Sequence, residues 1–186
     1  MPSWSRIATR MRVPLSFVLA AAFLWFARPA WLWIAAGGVF IVAGLAVRAA
    51  ASGHIRKNRE LTTTGPYAYT RNPLYLGSIL IAVGFAVAAR NLWIALAAVA
   101  MFILIYLPVI RAEEEYLRSA FPGYDQYARH VPRFLPRLTP YRSDVDGVDG
   151  GGYSHKLYLK HREYNAALGS VLMMGALILK LVLVRR

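Results

Sequence analysis

The fold is decided by residues 74–110, LYLGSILIAVGFAVAARNLWIALAAVAMFILIYLPVI, a stretch in which Arg90 is the single charged residue. Two apolar runs, Leu74–Ala89 and Leu92–Ile110, are separated by the two-residue connection Arg90-Asn91. A helix that crosses a bilayer needs about 20 apolar residues, and so short a connection makes successive helices antiparallel neighbours. This stretch therefore predicts a pair of membrane helices.

Three further apolar runs extend the pattern: Val13–Ala27, Trp31–Val47 and Ala166–Val184. The first two are joined by Arg28-Pro29-Ala30, a connection short enough for another helical hairpin. The last has Lys180 as its single charged residue, and this side chain is expected to extend toward the headgroups. Hydrophobic residues make up 58% of the 186 residues and charged residues only 17%, which is too apolar for a soluble domain. The sequence predicts an all-α, polytopic membrane bundle of about five transmembrane helices.

Glycines in the second and third runs are predicted to let these two helices approach closely, because small residues permit backbone contact in membranes. They are Gly37, Gly38, Gly44, Gly77 and Gly84. Val13–Ala27 and Leu74–Ala89 are short for a span, so each is expected to borrow flanking residues or to thin the bilayer.

Positive charge is distributed unevenly among the predicted connections. Three arginines precede the first run, five basic residues separate the second run from the third, and nine lie between positions 111 and 162, which puts 17 of the 22 on one side. Because short cytoplasmic loops are enriched in Lys and Arg, the N-terminus and both long polar segments are predicted to be cytoplasmic. The net charge of +13 is thus explained by the membrane, and nucleic acid is not expected as a partner.

Composition also limits the chemistry. The chain has no cysteine, which excludes disulfides, thiolate catalysis and cysteine metal sites, and no two of its four histidines are spaced i, i+4. We therefore expect no metal site. The N-terminal apolar run lacks a small-x-small cleavage site and is interpreted as a retained first helix.

The first polar segment, residues 56–77, ends at the predicted start of a helix. Asn72-Pro73 has the pattern of a cap followed by the first helical position, and a helix N-terminus suits a carboxylate or another anion. Tyr67, Tyr69 and Tyr75 would surround this point with flat faces and hydroxyls. The alternative interpretation is an interfacial aromatic belt with an ordinary helix cap.

The second polar segment begins with three consecutive acids, Glu113, Glu114 and Glu115. Consecutive residues on a helix are about 100° apart, so one or two of these must face the protein, where a carboxylate needs a cation such as Arg111 or Arg71. The alternative is a solvated acidic start to a cytoplasmic helix. Together the two segments suit a small aromatic, zwitterionic ligand that carries a carboxylate and an ammonium group.

The order and spacing of these motifs resemble the isoprenylcysteine carboxyl methyltransferase and phospholipid methyltransferase superfamily. The resemblance rests on Gly65-Pro66-Tyr67-x-x-x-Arg71-Asn72-Pro73-x-Tyr75-x-Gly77, then Glu113-Glu114-x-x-Leu117, then the tail Val131-Pro132-Arg133-Phe134-Leu135-Pro136. It departs from the family at Asn72, where histidine is usual, and the segment after residue 143 lies outside it.

The resemblance implies an integral membrane enzyme that uses S-adenosylmethionine from the cytosol and a lipophilic methyl acceptor from the bilayer. By motif, the cofactor-binding residues would be Leu61, Thr62, Tyr67, Asn72, Pro73, Tyr75 and Glu113. The candidate catalytic residues are Arg111, Arg71 and Glu114, with an arginine orienting an anionic acceptor.

The predicted organisation is a methyltransferase-like domain at 1–143 with its cofactor motifs at 61–136, a flexible Gly/Asp linker at 144–152, and an interfacial segment plus a last membrane helix at 153–186. Two other functions remain open: a non-catalytic membrane scaffold, favoured by Asn72, and a lipid reductase that uses a nicotinamide cofactor. The acceptor, the oligomeric state and the role of the last helix are not predicted.

Overall fold

A computed structural model describes residues 3–56, 60–142 and 152–184, and within these ranges every regular element is a helix. The predicted linker falls outside them except for Gly152. The elements are α1 (Ser3–Phe26), α2 (Trp31–His54), a 3₁₀ turn (Gly65–Ala68), α3 (Pro73–Ala89), α4 (Leu92–Met101), a π turn (Phe102–Tyr106), α5 (Leu107–Ala120), α6 (Tyr124–His130), α7 (His155–Lys160) and α8 (Tyr164–Val184). The all-α prediction is confirmed for these residues.

Among the described residues, three helices are long and apolar enough to cross a membrane: Trp31–His54, the continuous helix Leu92–Ala120 formed by α4, the π turn and α5, and Tyr164–Leu183. Val13–Phe26 and Pro73–Ala89 are apolar but shorter. The 17 residues of α3 extend for about 26 Å, slightly less than the hydrocarbon core.

Helices α2 and α3 pack along a seam of glycines, as the sequence predicts. A Cβ placed on Gly44 would lie 2.5 Å from the carbonyl oxygen of Gly77, and one on Gly84 would lie 2.5 Å from that of Gly37. Gly37 and Gly44 are seven residues apart on α2, and Gly77 and Gly84 are seven residues apart on α3. The two contacts therefore keep the antiparallel register over two helical turns. Gly38 is the exception, because a Cβ there would meet no atom within 4 Å.

The two short connections meet at one end of the bundle, which we call the hairpin end. The Arg28 N–H donates to the carbonyl of Ala89 at 2.8 Å, and Arg90 turns the chain in the left-handed region with φ 51°. Lys180 of α8 donates to the carbonyls of Leu24, Trp25 and Ala27 at 2.7–2.8 Å. The expectation that Lys180 extends toward the headgroups stays a prediction, and the structure adds that the open carbonyls at the end of α1 accept all three of its ammonium hydrogens.

The opposite end, called the site end, carries residues 55–72 and 121–142. Here Glu163, just before α8, accepts three hydrogen bonds from the Arg48 guanidinium, at 2.7 and 3.0 Å to one oxygen and 3.0 Å to the other. At the hairpin end, Leu177 and Leu181 of α8 pack in a cluster with Phe23. The last helix is therefore part of the bundle at both ends, a question that the sequence leaves open.

Candidate functional site

The site is built where the start of α3 meets the middle of α5. The Asn72 side-chain amide donates to Glu114 Oε1 at 2.9 Å, and the Tyr75 hydroxyl donates to Glu113 Oε1 at 3.0 Å. These pairs are separated by 42 and 38 residues in the chain. The two polar segments singled out in the sequence thus form one cluster.

Glu114 is the buried acid at the centre of this cluster, with 5% of its surface exposed. It accepts hydrogen bonds of 2.7–3.1 Å from the Arg133 guanidinium, and the Arg71 guanidinium lies 3.8 Å away. The prediction that one acid faces the interior beside Arg71 is confirmed. The other proposed partner, Arg111, is exposed on α5 and does not pair with Glu114, because Arg133 occupies the position next to this carboxylate.

Arg133 is the functional candidate that sequence reasoning did not assign. Its segment is held against the start of α3, since the Arg71 N–H donates to the Pro132 carbonyl at 2.9 Å and the Thr70 hydroxyl to the Arg133 carbonyl at 3.1 Å. The hydrogen bond to Glu114 raises the pKa of Arg133. The tail 131–136 was the sequence feature that could have indicated Arg133, because it belongs to the family resemblance.

Asn72 occupies the cap position of α3 without acting as a side-chain cap. Its side chain accepts no hydrogen bond from the first turn, and its amide instead donates to Glu114 and to the Arg133 carbonyl at 3.3 Å. The predicted cap and first helical positions are confirmed at Asn72 and Pro73, but Asn72 makes no side-chain capping hydrogen bond, because its amide is turned toward Glu114. Pro73 is fully buried as the first helical residue and leaves no N–H to satisfy there.

Arg71 has unused hydrogen-bonding capacity. Its Nη1 lies 3.5 Å from the Tyr124 hydroxyl, and its Nε is buried without a hydrogen-bond partner among the described residues. Burial is the main cause that raises the pKa of Tyr124, so this hydroxyl stays protonated beside the guanidinium. The cluster thus contains a cationic donor that lacks an acceptor.

Aromatic rings line the side of the cluster that carries Glu113. Tyr106 contacts Tyr75 edge-on with ring centroids 6.2 Å apart and stacks on Phe102 at 6.4 Å. The rings of Phe102 and Tyr106 belong to the π turn that precedes Pro108. Proline cannot donate the usual helical hydrogen bond, and π turns often occur where a helix is interrupted in this way.

The remaining predicted cofactor residues contact neighbouring parts of the site end. Leu61 packs against the buried Tyr124 and Tyr127, and the Thr62 hydroxyl accepts from the Arg56 N–H at 3.3 Å. Tyr67 is buried, and its carbonyl accepts a 2.7 Å hydrogen bond from the Tyr127 hydroxyl. Burial, followed by the nearby carboxylates of Glu163 and Glu113, raises the pKa of Tyr67.

The described part of the chain holds no group of three or more His, Cys, Asp or Glu residues that could bind a metal ion. Within the described residues, Glu114 is paired with Arg133, whereas the Nε of Arg71 has no acceptor and Glu113 is bound by Tyr75 and by no arginine. The remaining capacity of Arg71 and Glu113 suits an organic zwitterion.

Comparison with known proteins relates this site to a family. A family profile described as phospholipid methyltransferase matches residues 33–123, which include both polar segments of the cluster. The protein-S-isoprenylcysteine O-methyltransferase of Schizosaccharomyces pombe is 34% identical over 83 residues, which cover 44% of this chain and 35% of that protein. No solved structure matches.

Two bacterial proteins are similar over a longer stretch. The cobalt-zinc-cadmium resistance protein CzcN of Cupriavidus metallidurans is 35% identical over 142 residues, and the nickel-cobalt-cadmium resistance protein NccN of Alcaligenes xylosoxydans xylosoxydans is 36% identical over 141. Each alignment covers 72% of this chain, which spans 65% and 66% of the two relatives. Residues 33–123, which carry both motif segments, match the phospholipid methyltransferase family, and the similarity to an isoprenylcysteine methyltransferase supports the wider membrane methyltransferase superfamily.

Proposed function

We propose that the protein is an S-adenosylmethionine-dependent methyltransferase that acts on a lipophilic acceptor, either an isoprenylcysteine-type carboxylate or a lipid headgroup. The observation that carries the proposal is the pairing of Asn72 with Glu114 and of Tyr75 with Glu113. These contacts join the two motif segments of the superfamily into one polar cluster at the end of apolar helices.

The residues present fit this cofactor in charge and in hydrogen bonding. Within the part of the chain that the structure describes, the buried Nε of Arg71 has no acceptor, and a ligand carboxylate would supply one. Glu113 is exposed and accepts only from Tyr75 among the hydrogen bonds of the described residues, so its second oxygen suits an ammonium group. The faces of Tyr75 and Tyr106 suit a cationic sulfonium, which aromatic rings attract.

When bound, S-adenosylmethionine supplies an electrophilic methyl group. The protein's part is then to align an acceptor with that group and to exclude water, since methyl transfer between aligned partners needs little further catalysis. Arg111 is exposed on α5 one turn before Glu114, where its guanidinium suits an anionic acceptor. Glu114, saturated by Arg133 and Asn72, acts in this proposal by holding Arg71 and Asn72 in place.

The proposal includes five membrane-spanning helices with the site end in the cytoplasm and the methyltransferase-like domain at 1–143. The seam with α2 supports a spanning α3, because it aligns the short helix with one that is long enough to cross. The concentration of Lys and Arg in the polar segments of the site end supports the orientation.

The orientation predicts how introduced thiols react, since the natural chain has no cysteine. In intact cells or sealed inverted vesicles, Thr63→Cys should react with a membrane-impermeant maleimide only from the cytoplasmic side. Asn91→Cys, in the connection between α3 and α4, should react only from the other side. Labelling of Asn91→Cys from the cytoplasm would refute the orientation.

The cofactor proposal predicts that Glu113→Gln weakens S-adenosylhomocysteine binding by about 1.5 kcal/mol, roughly tenfold, the amount expected for a charged hydrogen bond at an exposed position. Titration calorimetry of the purified full chain measures the change. The control is Glu115→Gln, which removes the same charge from an exposed position two residues along α5. Equal affinities for the two variants would remove Glu113 from the site.

The same titrations separate the remaining functions. Binding of NADPH without S-adenosylhomocysteine would favour a lipid reductase, and binding of neither would favour a scaffold. The names of CzcN and NccN raise a role in metal resistance as a second candidate. Because the chain lacks cysteine and its described residues hold no metal cluster, we propose that such a role would act through a methylated membrane component.

A further inference from the structure

The hairpin end carries a cationic groove that the proposed methyltransferase does not use. Its volume is about 520 Å³, and its polar lining consists of Arg28, Arg90, Asn91 and Lys180 beside the apolar side chains of Trp25 and Phe26. Three of these residues are cations and none is an acid. We propose that this groove binds the phosphodiester headgroup of an anionic phospholipid.

The charge of the groove is not balanced within the described part of the protein. The six acidic residues that the structure describes all belong to the site end: Glu60, Glu113, Glu114, Glu115, Asp125 and Glu163. The guanidinium groups of Arg28 and Arg90 have no acceptor among the described residues. Arg90 instead lies over the Trp33 ring, 5.6 Å from its centroid. These two arginines are therefore available donors for an anion.

Lys180 and Asn91 have a different part in the groove. The three ammonium hydrogens of Lys180 are taken by carbonyls of the α1 end, and the Asn91 amide donates to the Phe26 carbonyl at 3.0 Å. Lys180 therefore contributes positive charge without a free donor. Its fixed position makes the groove a preformed site, and an incoming phosphate would meet the guanidinium groups of the two arginines.

The level of the groove relative to the lipid headgroups identifies the source of the anion as a lipid. Four of the five tryptophans surround the hairpin end, and all four are exposed: Trp25, Trp31, Trp33 and Trp93. Exposed tryptophans gather at the level of lipid headgroups, so the groove opens where phosphodiesters are concentrated. A zwitterionic headgroup also brings an ammonium group, for which the lining offers no acid. The groove should therefore prefer lipids with net negative charge.

The test uses the purified full chain in detergent, titrated with dioctanoyl phosphatidylglycerol or dioctanoyl phosphatidylcholine while tryptophan fluorescence is followed. The wild type should bind the anionic lipid at least tenfold more tightly. Arg28→Gln with Arg90→Gln should weaken that binding roughly 30-fold, as expected for two basic residues at a membrane surface. Arg28→Gln alone removes an exposed side chain, and it should cost about fivefold even if the double variant does not fold.

The matched control is Arg129→Gln with Arg142→Gln, which removes two exposed charges from the site end. It should retain both affinity and selectivity. Equal losses in the control, or equal affinity of the wild type for the two lipids, would overturn the proposal. Displacement of the lipid by millimolar sodium phosphate would also overturn it, because the site would then bind free phosphate rather than a headgroup.

Discussion

Gly44→Ala is expected to force α2 and α3 apart and to lower the free energy of unfolding by about 3 kcal/mol. The added methyl group would lie 2.5 Å from the Gly77 carbonyl oxygen and 2.8 Å from a side-chain carbon of Ile81. A side chain can rotate away from such a contact, but the backbone carbonyl belongs to the α3 helix. The whole helix must shift to relieve it.

The matched control for this variant is Gly38→Ala, in the same helix. A Cβ at this position meets nothing within 4 Å, and alanine is the better helix former by about 1 kcal/mol, so this variant should be as stable as the wild type or more so. The wild type and the two variants are compared by titrating the detergent-solubilised proteins with dodecyl sulfate and monitoring their circular dichroism. Similar midpoints for the two variants would show that the seam does not hold the helices together.

Glu114→Gln is expected to destabilise the site end by about 3 kcal/mol, the lower end of the range for breaking a buried ion pair. The substitution keeps the shape of the side chain but leaves Arg71, whose side chain is 14% exposed, without its carboxylate. Arg133 moderates the loss, because its side chain is 37% exposed and can turn toward water. The measurement is the same dodecyl sulfate titration.

Glu115→Gln provides the comparison, because it removes an identical group from the next position on α5. That residue is exposed, so the free energy of unfolding should change by less than about 0.5 kcal/mol. If both substitutions have the same small effect, Glu114 is not the acid that holds the cluster together. If folded Glu114→Gln loses affinity for S-adenosylhomocysteine, Glu114 positions Arg71 and Asn72 for the cofactor, and if its affinity is unchanged, Glu114 serves stability alone.

Much of the fold follows from local patterns in the sequence. The lengths of the connections at 28–30 and 90–91 predicted two hairpins, and the glycines of α2 and α3 predicted their close contact. The sequence also predicted that consecutive glutamates could not all face water, because the 100° step of a helix spreads them around its axis. It could not tell which of the three is buried, since that depends on which segment packs against α5.

The hydrogen-bond partners of individual polar side chains were less predictable from the sequence. Asn72 has the sequence pattern of a cap, yet its amide serves a carboxylate 42 residues away. The ammonium of Lys180 binds carbonyls at the end of α1, which the sequence did not predict. In both cases the partner belongs to another helix, and only packing brings it within hydrogen-bonding distance.

By itself, the sequence determined that this protein is helical, that its helices are apolar enough for a membrane, and that its polar chemistry is gathered in two segments with a family signature. These properties depend on hydrophobic runs, connection lengths and motifs, which are read within one stretch of chain. Only the tertiary structure decided that Gly44 meets Gly77, that Arg133 binds Glu114, and that α8 joins the bundle through Arg48 and Glu163. These contacts join residues 19 to 115 positions apart, and their formation depends on how whole helices pack.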